Sequence, residues 1–193
     1  MFKLCTGIVD ASFLVLPKTM RNPTYGMYGM FWYSSLESGF PPIDVSQAGE
    51  YTCQSAFKDC RLKSLPDMWA PVSGKDMFRS AFSYADYDYK NVFQNKLDWH
   101  FYATGTSDAE MPSGFMRGMF INNTFAEGTR FFFHFPSTLK YTARNHGLTD
   151  IFYRCTGSIE IHWPKHFIDE QGFIADGGPF FRFGGSATAH FDL

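Results

Sequence analysis

The feature that most constrains this chain is strict alternation of apolar and polar residues in several short runs. Residues 129–135 read T-R-F-F-F-H-F, which sets Phe131, Phe133 and Phe135 on one face and Arg130, Phe132 and His134 on the other. Leu97, Trp99 and Phe101 likewise oppose Asp98, His100 and Tyr102, and Ile159, Ile161 and Trp163 oppose Ser158, Glu160 and His162. Beyond Pro136, Leu139, Tyr141 and Ala143 oppose Thr138, Lys140, Thr142 and Arg144. A period of two is that of a β-strand, and one wet face is the habit of antiparallel sheets.

Other segments extend the same reading. Residues 25–33 (Y-G-M-Y-G-M-F-W-Y) and 115–121 (F-M-R-G-M-F-I) are apolar on both faces, which predicts central strands or strands covered by another chain. Residues 4–16, with a bulge near Asp10, and 51–62 are further strand candidates. The one short helix is predicted at 74–82, and 90–94 carries a fainter helical pattern. Turn chemistry falls at 17–24, 39–42, 105–114, 127–128, 145–147 and 176–179. No internal repeat is visible. The expectation is an all-β fold, an antiparallel β-sandwich with long loops over 1–171. The Gly- and aromatic-rich stretch 172–193 is expected to form an extended C-terminal arm.

Composition narrows the classes. The chain has 193 residues, 45% hydrophobic, with 17 Lys+Arg against 19 Asp+Glu. That excludes disorder and supplies no basic excess for nucleic-acid backbones. No apolar run reaches the ~18–20 residues of a membrane span, and Asp10 interrupts any leader-like start. The anomaly is phenylalanine: Phe 23 equals Leu, Ile and Val together. Three explanations are open, namely a Phe-rich strand core, contact surface for a partner, or sugar-stacking rings among Trp32, Trp69, Trp99 and Trp163. Trp99 and Trp163 fall on apolar faces, which weakens the last.

Chemistry-bearing motifs are sparse. Cys5, Cys53, Cys60 and Cys155 lack the spacing of a disulfide framework or a zinc site and read as buried or idle thiols. His162 and His166 are separated by Pro164, while His100, His134 and His146 stand alone, so all read as surface or satisfied side chains. Asp86 and Asp88 (A-D-Y-D-Y) read as solvated loop acids, with a calcium ion between subunits as the sharper alternative. No nucleophile motif or phosphate loop occurs. Asn122-Asn123-Thr124 is a glycosylation sequon. No catalytic, cofactor-binding or metal-ligating residue is assigned, and no cofactor is expected.

Three stretches taken in order carry a resemblance. Residues 5–33 contain a strand, a Pro/Asn turn and G-M-Y-G-M-F-W-Y. Residues 51–78 end in L-P-D-M-W-A-P-V-S-G-K-D-M-F. Residues 115–144 hold an apolar strand, the turn N-T-F-A-E-G-T and a strand ending L-K-Y-T-A-R. Together they resemble the jelly-roll shell domain of small icosahedral virus capsid proteins of the tombusvirus and nodavirus type. The resemblance covers about two thirds of the chain. It implies a non-catalytic capsid subunit in a virion, whose partners are copies of itself and other capsid proteins. Nucleic-acid contact would be weak or made through segments absent here, and no membrane is involved. The family's basic N-terminal arm and its Asp-x-x-Asp-Asn calcium string are not found, so no metal site is carried over. Two other functions compete. A glycan-binding β-sandwich needs coplanar exposed Trp or Tyr. An enzyme on a β-scaffold would draw on Glu50, Asp86, Asp88 and Glu160.

Overall fold

A computed structural model describes residues 2–15, 24–72, 74–84, 91–105, 110–140, 146–167, 178–180 and 182–193. Seven strands are present: β1 (Ile43–Asp44), β2 (Met68–Ala70), β3 (Asn91–Val92), β4 (Asp98–Ala103), β5 (Asn123–His134), β6 (Thr156–Trp163) and β7 (Ser186–Phe191). They lie in one sheet in the order β1-β2-β4-β5-β6-β7, with β3 beside the first residues of β5. Every pair is parallel. After each strand the chain must therefore travel back to the same end of the sheet before laying down the next. It does so in coils of roughly 25–33 residues, the period range of a solenoid.

The return path is unusual. Segments 24–33, 50–59, 75–82, 113–122 and 149–154 are ribbons of overlapping turns. In the first, Tyr28, Met30, Trp32 and Ser34 donate their N–H groups to carbonyls three residues back. The alternate residues Tyr25, Met27, Gly29, Phe31 and Tyr33 donate instead to Glu50, Thr52, Gln54, Ala56 and Lys58 of the next ribbon, at 2.8–3.3 Å. Half of the N–H groups thus close turns and half form a parallel ladder, so a buried backbone is satisfied without strand or helix. Every fourth residue takes positive φ: Tyr25, Gly29 and Tyr33, then Tyr51, Ser55 and Asp59, then Gly114, Gly118 and Asn122. None of these is β-branched, in keeping with the steric cost of that region.

In each coil the four-residue period sets one pair of buried side chains at i and i+4. Met27 and Phe31, Cys53 and Phe57, Phe78 and Phe82, and Met116 and Phe120 are all buried, as are Leu148 and Phe152. The second members stack face to face through the whole molecule. Phe2, Phe31, Phe57, Phe82, Phe120, Phe152 and Phe180 follow one another at centroid separations of 5.2–5.9 Å, with ring planes within 16° of parallel. Opposite this spine the sheet contributes Trp99, Phe101, Phe131, Phe133, Ile159, Ile161 and Trp163, all at most 1% exposed. Phe133 stacks on Trp163 at 4.4 Å. The third residue after a spine Phe ties adjacent coils together. The Cys60 thiol donates to the Phe31 carbonyl (3.0 Å), the Asn123 amide to that of Phe82 (3.0 Å), and the Cys155 thiol to that of Phe120 (2.7 Å).

Several expectations are corrected. The antiparallel β-sandwich of jelly-roll type is overturned by a single parallel sheet closed into a solenoid by ribbons. The alternation in β4, β5 and β6 is real and its faces are as expected. One wet face arises here because ribbons cover only the other side of the sheet. The two-faced strands at 25–33 and 115–121 are ribbons, as is most of 51–62. The helix at 74–82 is also a ribbon, because Asp76 and Ser80 at φ 50° and 56° interrupt right-handed helical backbone. No α-helix occurs among the described residues, and no helix is long and apolar enough to cross a membrane. A repeat is present after all, as an apolar or small residue, Phe, two variable residues and a small or polar one: M-F-W-Y-S, A-F-K-D-C, M-F-I-N-N and I-F-Y-R-C. In 139–144 only Leu139 and Lys140 are described, and Lys140 forms an isolated bridge with Glu110. Beyond residue 172, β7 pairs with β6 as the last strand of the sheet.

Two predictions test this architecture. Phe120→Ala, in mid-spine, is expected to cost about 3–5 kcal/mol in urea unfolding, and Phe180→Ala, at the half-buried end, clearly less. Equal losses would contradict a continuous spine. Gly157 sits at φ 110° where an added Cβ would lie 2.1 Å from the Phe125 carbonyl oxygen. Gly157→Ala should therefore lower the melting temperature sharply, whereas the same change at Gly7, with open space around it, should not.

Candidate functional site

Parallel in-register pairing places equivalent outward side chains in rows across the strands. One row is Asp98, Arg130, Glu160 and Thr188; the next is His100, Phe132, His162 and His190. A third links Trp69, Tyr102 and His134. The middle row is a ring stack: His100 on Phe132 at 4.5 Å, Phe132 on His162 at 4.5 Å, and His162 on His190 at 4.8 Å, all within 14° of parallel. Trp69 stacks on Tyr102 at 4.9 Å and Tyr102 on His134 at 4.6 Å. The rings are half-buried and hold one another upright, so they present edges to solvent and faces to each other.

Polar contacts fix this surface further. Arg130 donates Nε and Nη2 to the two carboxylate oxygens of Asp98, both at 2.8 Å, and that pairing holds Asp98 below its usual pKa. His100 Nδ1 and His134 Nε2 are hydrogen-bonded at 3.0 Å. Asp67 Oδ1 accepts the His100 backbone N–H at 3.0 Å. His162 Nδ1 lies 3.0 Å from the Asp192 carboxylate. Its Nε2 faces Glu160 Oε2 at 4.0 Å, beyond hydrogen-bond range. The Nε2 atoms of both His162 and His190 are buried and have no hydrogen-bond partner.

Sequence reasoning placed Asp98, His100, Tyr102, Arg130, Phe132, His134, Glu160 and His162 on outward faces but missed Thr188 and His190 and the convergence of the rows. His162 was weighed against His166, whereas the fold brings it to His190. His166 instead contacts the Leu139 carbonyl at 2.6 Å, and His146 pairs locally with Thr149 at 3.2 Å. The signal for the partnership was the strand register, which a single alternating run does not contain. Of the four acids considered for catalysis, Asp86 and Asp88 lie outside the described residues. Glu50 and Glu160 are exposed, one at the start of a ribbon and the other on the sheet. Cys53, Cys60 and Cys155 are buried and not in disulfides, and burial pushes the Cys60 thiol up to about 11. Asn122 of the sequon is 2% exposed, and its amide donates to the Tyr84 carbonyl at 2.9 Å, which leaves no room for a glycan.

The tryptophans are equally occupied. Trp99 and Trp163 are in the core. Trp32 stacks on Tyr33 at 5.7 Å and carries the Lys3 ammonium 4.0 Å above its ring. Trp69 has a face against Tyr102. Of the exposed tyrosines, Tyr25 stacks on Tyr51 at 5.1 Å and stands edge-on to Tyr28, and Tyr33 stacks on Trp32.

Burial holds the His134 imidazole below its ordinary value, and charge on His100 acts in the same direction. The unfolded chain, with a pKa of about 6.5, therefore takes up this proton before the folded one does. Stability from this group is intact above that pH and is lost as pH falls through the lowered folded value. Melting temperatures measured between pH 7.5 and 5 should fall more steeply for the native protein than for His134→Gln. Parallel curves would refute the assignment.

Compared with protein-family models, with curated proteins and with solved structures, the chain matches none.

Proposed function

We propose that this protein is a non-catalytic recognition module that engages a peptide segment or loop of a protein partner on the outward face of its sheet. The observation that carries this reading is the continuous ring stack His100–Phe132–His162–His190, flanked by Trp69–Tyr102–His134 and by the Asp98–Arg130 pair. Aromatic side chains and arginine are enriched where proteins bury area against one another. Stacking has already removed most of their rotamer freedom, so little ordering entropy remains to be lost on binding.

Size selects the kind of partner. The four strands of six or more residues, β4 to β7, at ~4.8 Å spacing give a face of roughly 14 by 20 Å. That is about 300 Å², below the ~800 Å² per side of a standard interface, and suits a peptide or loop. Glycan binding has less support, because the ring faces a sugar would cover are held against neighbouring rings. The capsid reading rested on a jelly-roll likeness, and a parallel solenoid does not supply the fold which that likeness implied.

Peptide-display selection against the folded protein tests the proposal. Selected peptides should bind the native protein and Arg117→Glu, on an exposed ribbon position, equally well. They should lose at least tenfold in affinity for the double variant Tyr102→Glu/Phe132→Glu. Peptides indifferent to the double variant, or ligands found only on a glycan panel, would overturn it.

A further inference from the structure

We infer that Glu160, His162 and His190 form a binding site for a divalent transition-metal ion, with Zn²⁺ the fitting species. One ligand atom from each residue lies within 4.8 Å of the others. Two imidazole nitrogens and a carboxylate oxygen make a donor set typical of zinc.

Two independent features point to an ion rather than to a chance cluster. First, His162 Nε2 and His190 Nε2 are both shielded from solvent and both lack a hydrogen-bond partner. Leaving two such atoms unsatisfied is costly, and one ion would satisfy both. Second, Asp192 Oδ1 and Oδ2 lie 3.0 Å from His162 Nδ1. A carboxylate there holds the proton on Nδ1 and leaves the Nε2 lone pair free, which is the outer-shell arrangement of zinc-binding histidines. The His162 and His190 rings lie within 14° of parallel at 4.8 Å, so their in-plane lone pairs run side by side, and ligation requires both imidazoles to turn toward a common point.

Distances are near the requirement. Zinc bonds of ~2.0–2.2 Å set ligand atoms roughly 3.3 Å apart in a tetrahedron. Glu160 Oε2 and His162 Nε2 are 4.0 Å apart and the ligand atoms span up to 4.8 Å, so the set closes by rotation of the exposed glutamate together with reorientation of both imidazoles. Because Glu160 lies open to solvent, the fourth position is available to water or to a donor brought by another molecule. The site lies on the face proposed for partner binding but does not depend on that proposal.

The competing arrangement is a simple ion pair, with protonated His162 between Glu160 and Asp192 and no ion bound. Titration of the chelator-stripped protein with Zn²⁺ alone, followed by calorimetry, separates the two. One ion per chain should bind, and the melting temperature should rise with it. His162→Gln and His190→Gln should each weaken binding by more than tenfold, Asp192→Asn by ten- to a hundredfold, and His100→Gln, in the same row two strands away, not at all. Substituting Co²⁺ should give the strong visible absorption of a four-coordinate ion, which is lost in His190→Gln. Circular dichroism of each variant distinguishes lost ligation from lost folding. Absence of saturable binding, or binding that survives both histidine changes in folded protein, would overturn the inference.

Discussion

Everything in this molecule hangs on keeping successive coils in register, and the stacked phenylalanine spine is what does so. A parallel ladder of backbone hydrogen bonds alone tolerates slippage, because each rung resembles the next. A flat ring does not slip so freely. Each spine Phe stacks at 5.2–5.9 Å on the equivalent ring of the next coil. Moving a ribbon by two residues would replace that ring with an outward-facing side chain. Burying each ring is worth several kcal/mol, and the stacking geometry adds about 0.5–1.5 more. The residue three places on reinforces the register. In the coils of Cys60, Asn123 and Cys155 its side chain reaches the carbonyl of the preceding spine Phe. The buried thiols are therefore explained by hydrogen bonding and packing, with no redox role required.

Register in the core determines register on the surface. Because the strands are parallel and aligned, whatever a coil places outward is set beside its counterpart from the next coil. This converts residues far apart in sequence, such as His162 and His190, into neighbours whose rings stack. A solenoid thereby builds rows of like or complementary groups without any further device. The Asp98–Arg130 pair and the Thr124–Thr156 hydroxyl contact at 2.8 Å are the same effect in charge and hydrogen bonding.

How much of this was legible follows from where each signal lives. The strands β4, β5 and β6 could be read directly, since Trp99, Phe131 and Ile161 alternate with Asp98, Arg130 and Glu160 within a few residues. The direction of their pairing could not, because a parallel sheet covered on one side shows the same alternation as an antiparallel one. The ribbons were misread because they satisfy two templates at once. Phe78 and Phe82 have the i,i+4 spacing of a helix, while Tyr25 to Tyr33 are aromatic enough for a strand. Neither template includes a positive φ at every fourth residue. The repeat escaped notice because only Phe is constant in it. Its neighbours change from Met to Ala to Ile, and the spacing between copies varies with the loops. Of the candidate metal site, Glu160 and His162 were placed on the correct face. Their third partner lies in another coil, and only the register supplies it.

The same logic explains why chemistry would collect on the sheet rather than on the ribbons. In a ribbon several outward positions are held at positive φ, as at Tyr25, Tyr33 and Arg154. Side chains there are limited by backbone strain, and β-branched residues are disfavoured. On a strand the outward positions have ordinary extended backbone and accept any residue. The sheet face can therefore change its side chains freely while the spine behind it stays fixed. A histidine pair, a bidentate ion pair and an aromatic stack occupy adjacent rows of one small surface. The interior that positions them remains almost entirely aromatic and aliphatic.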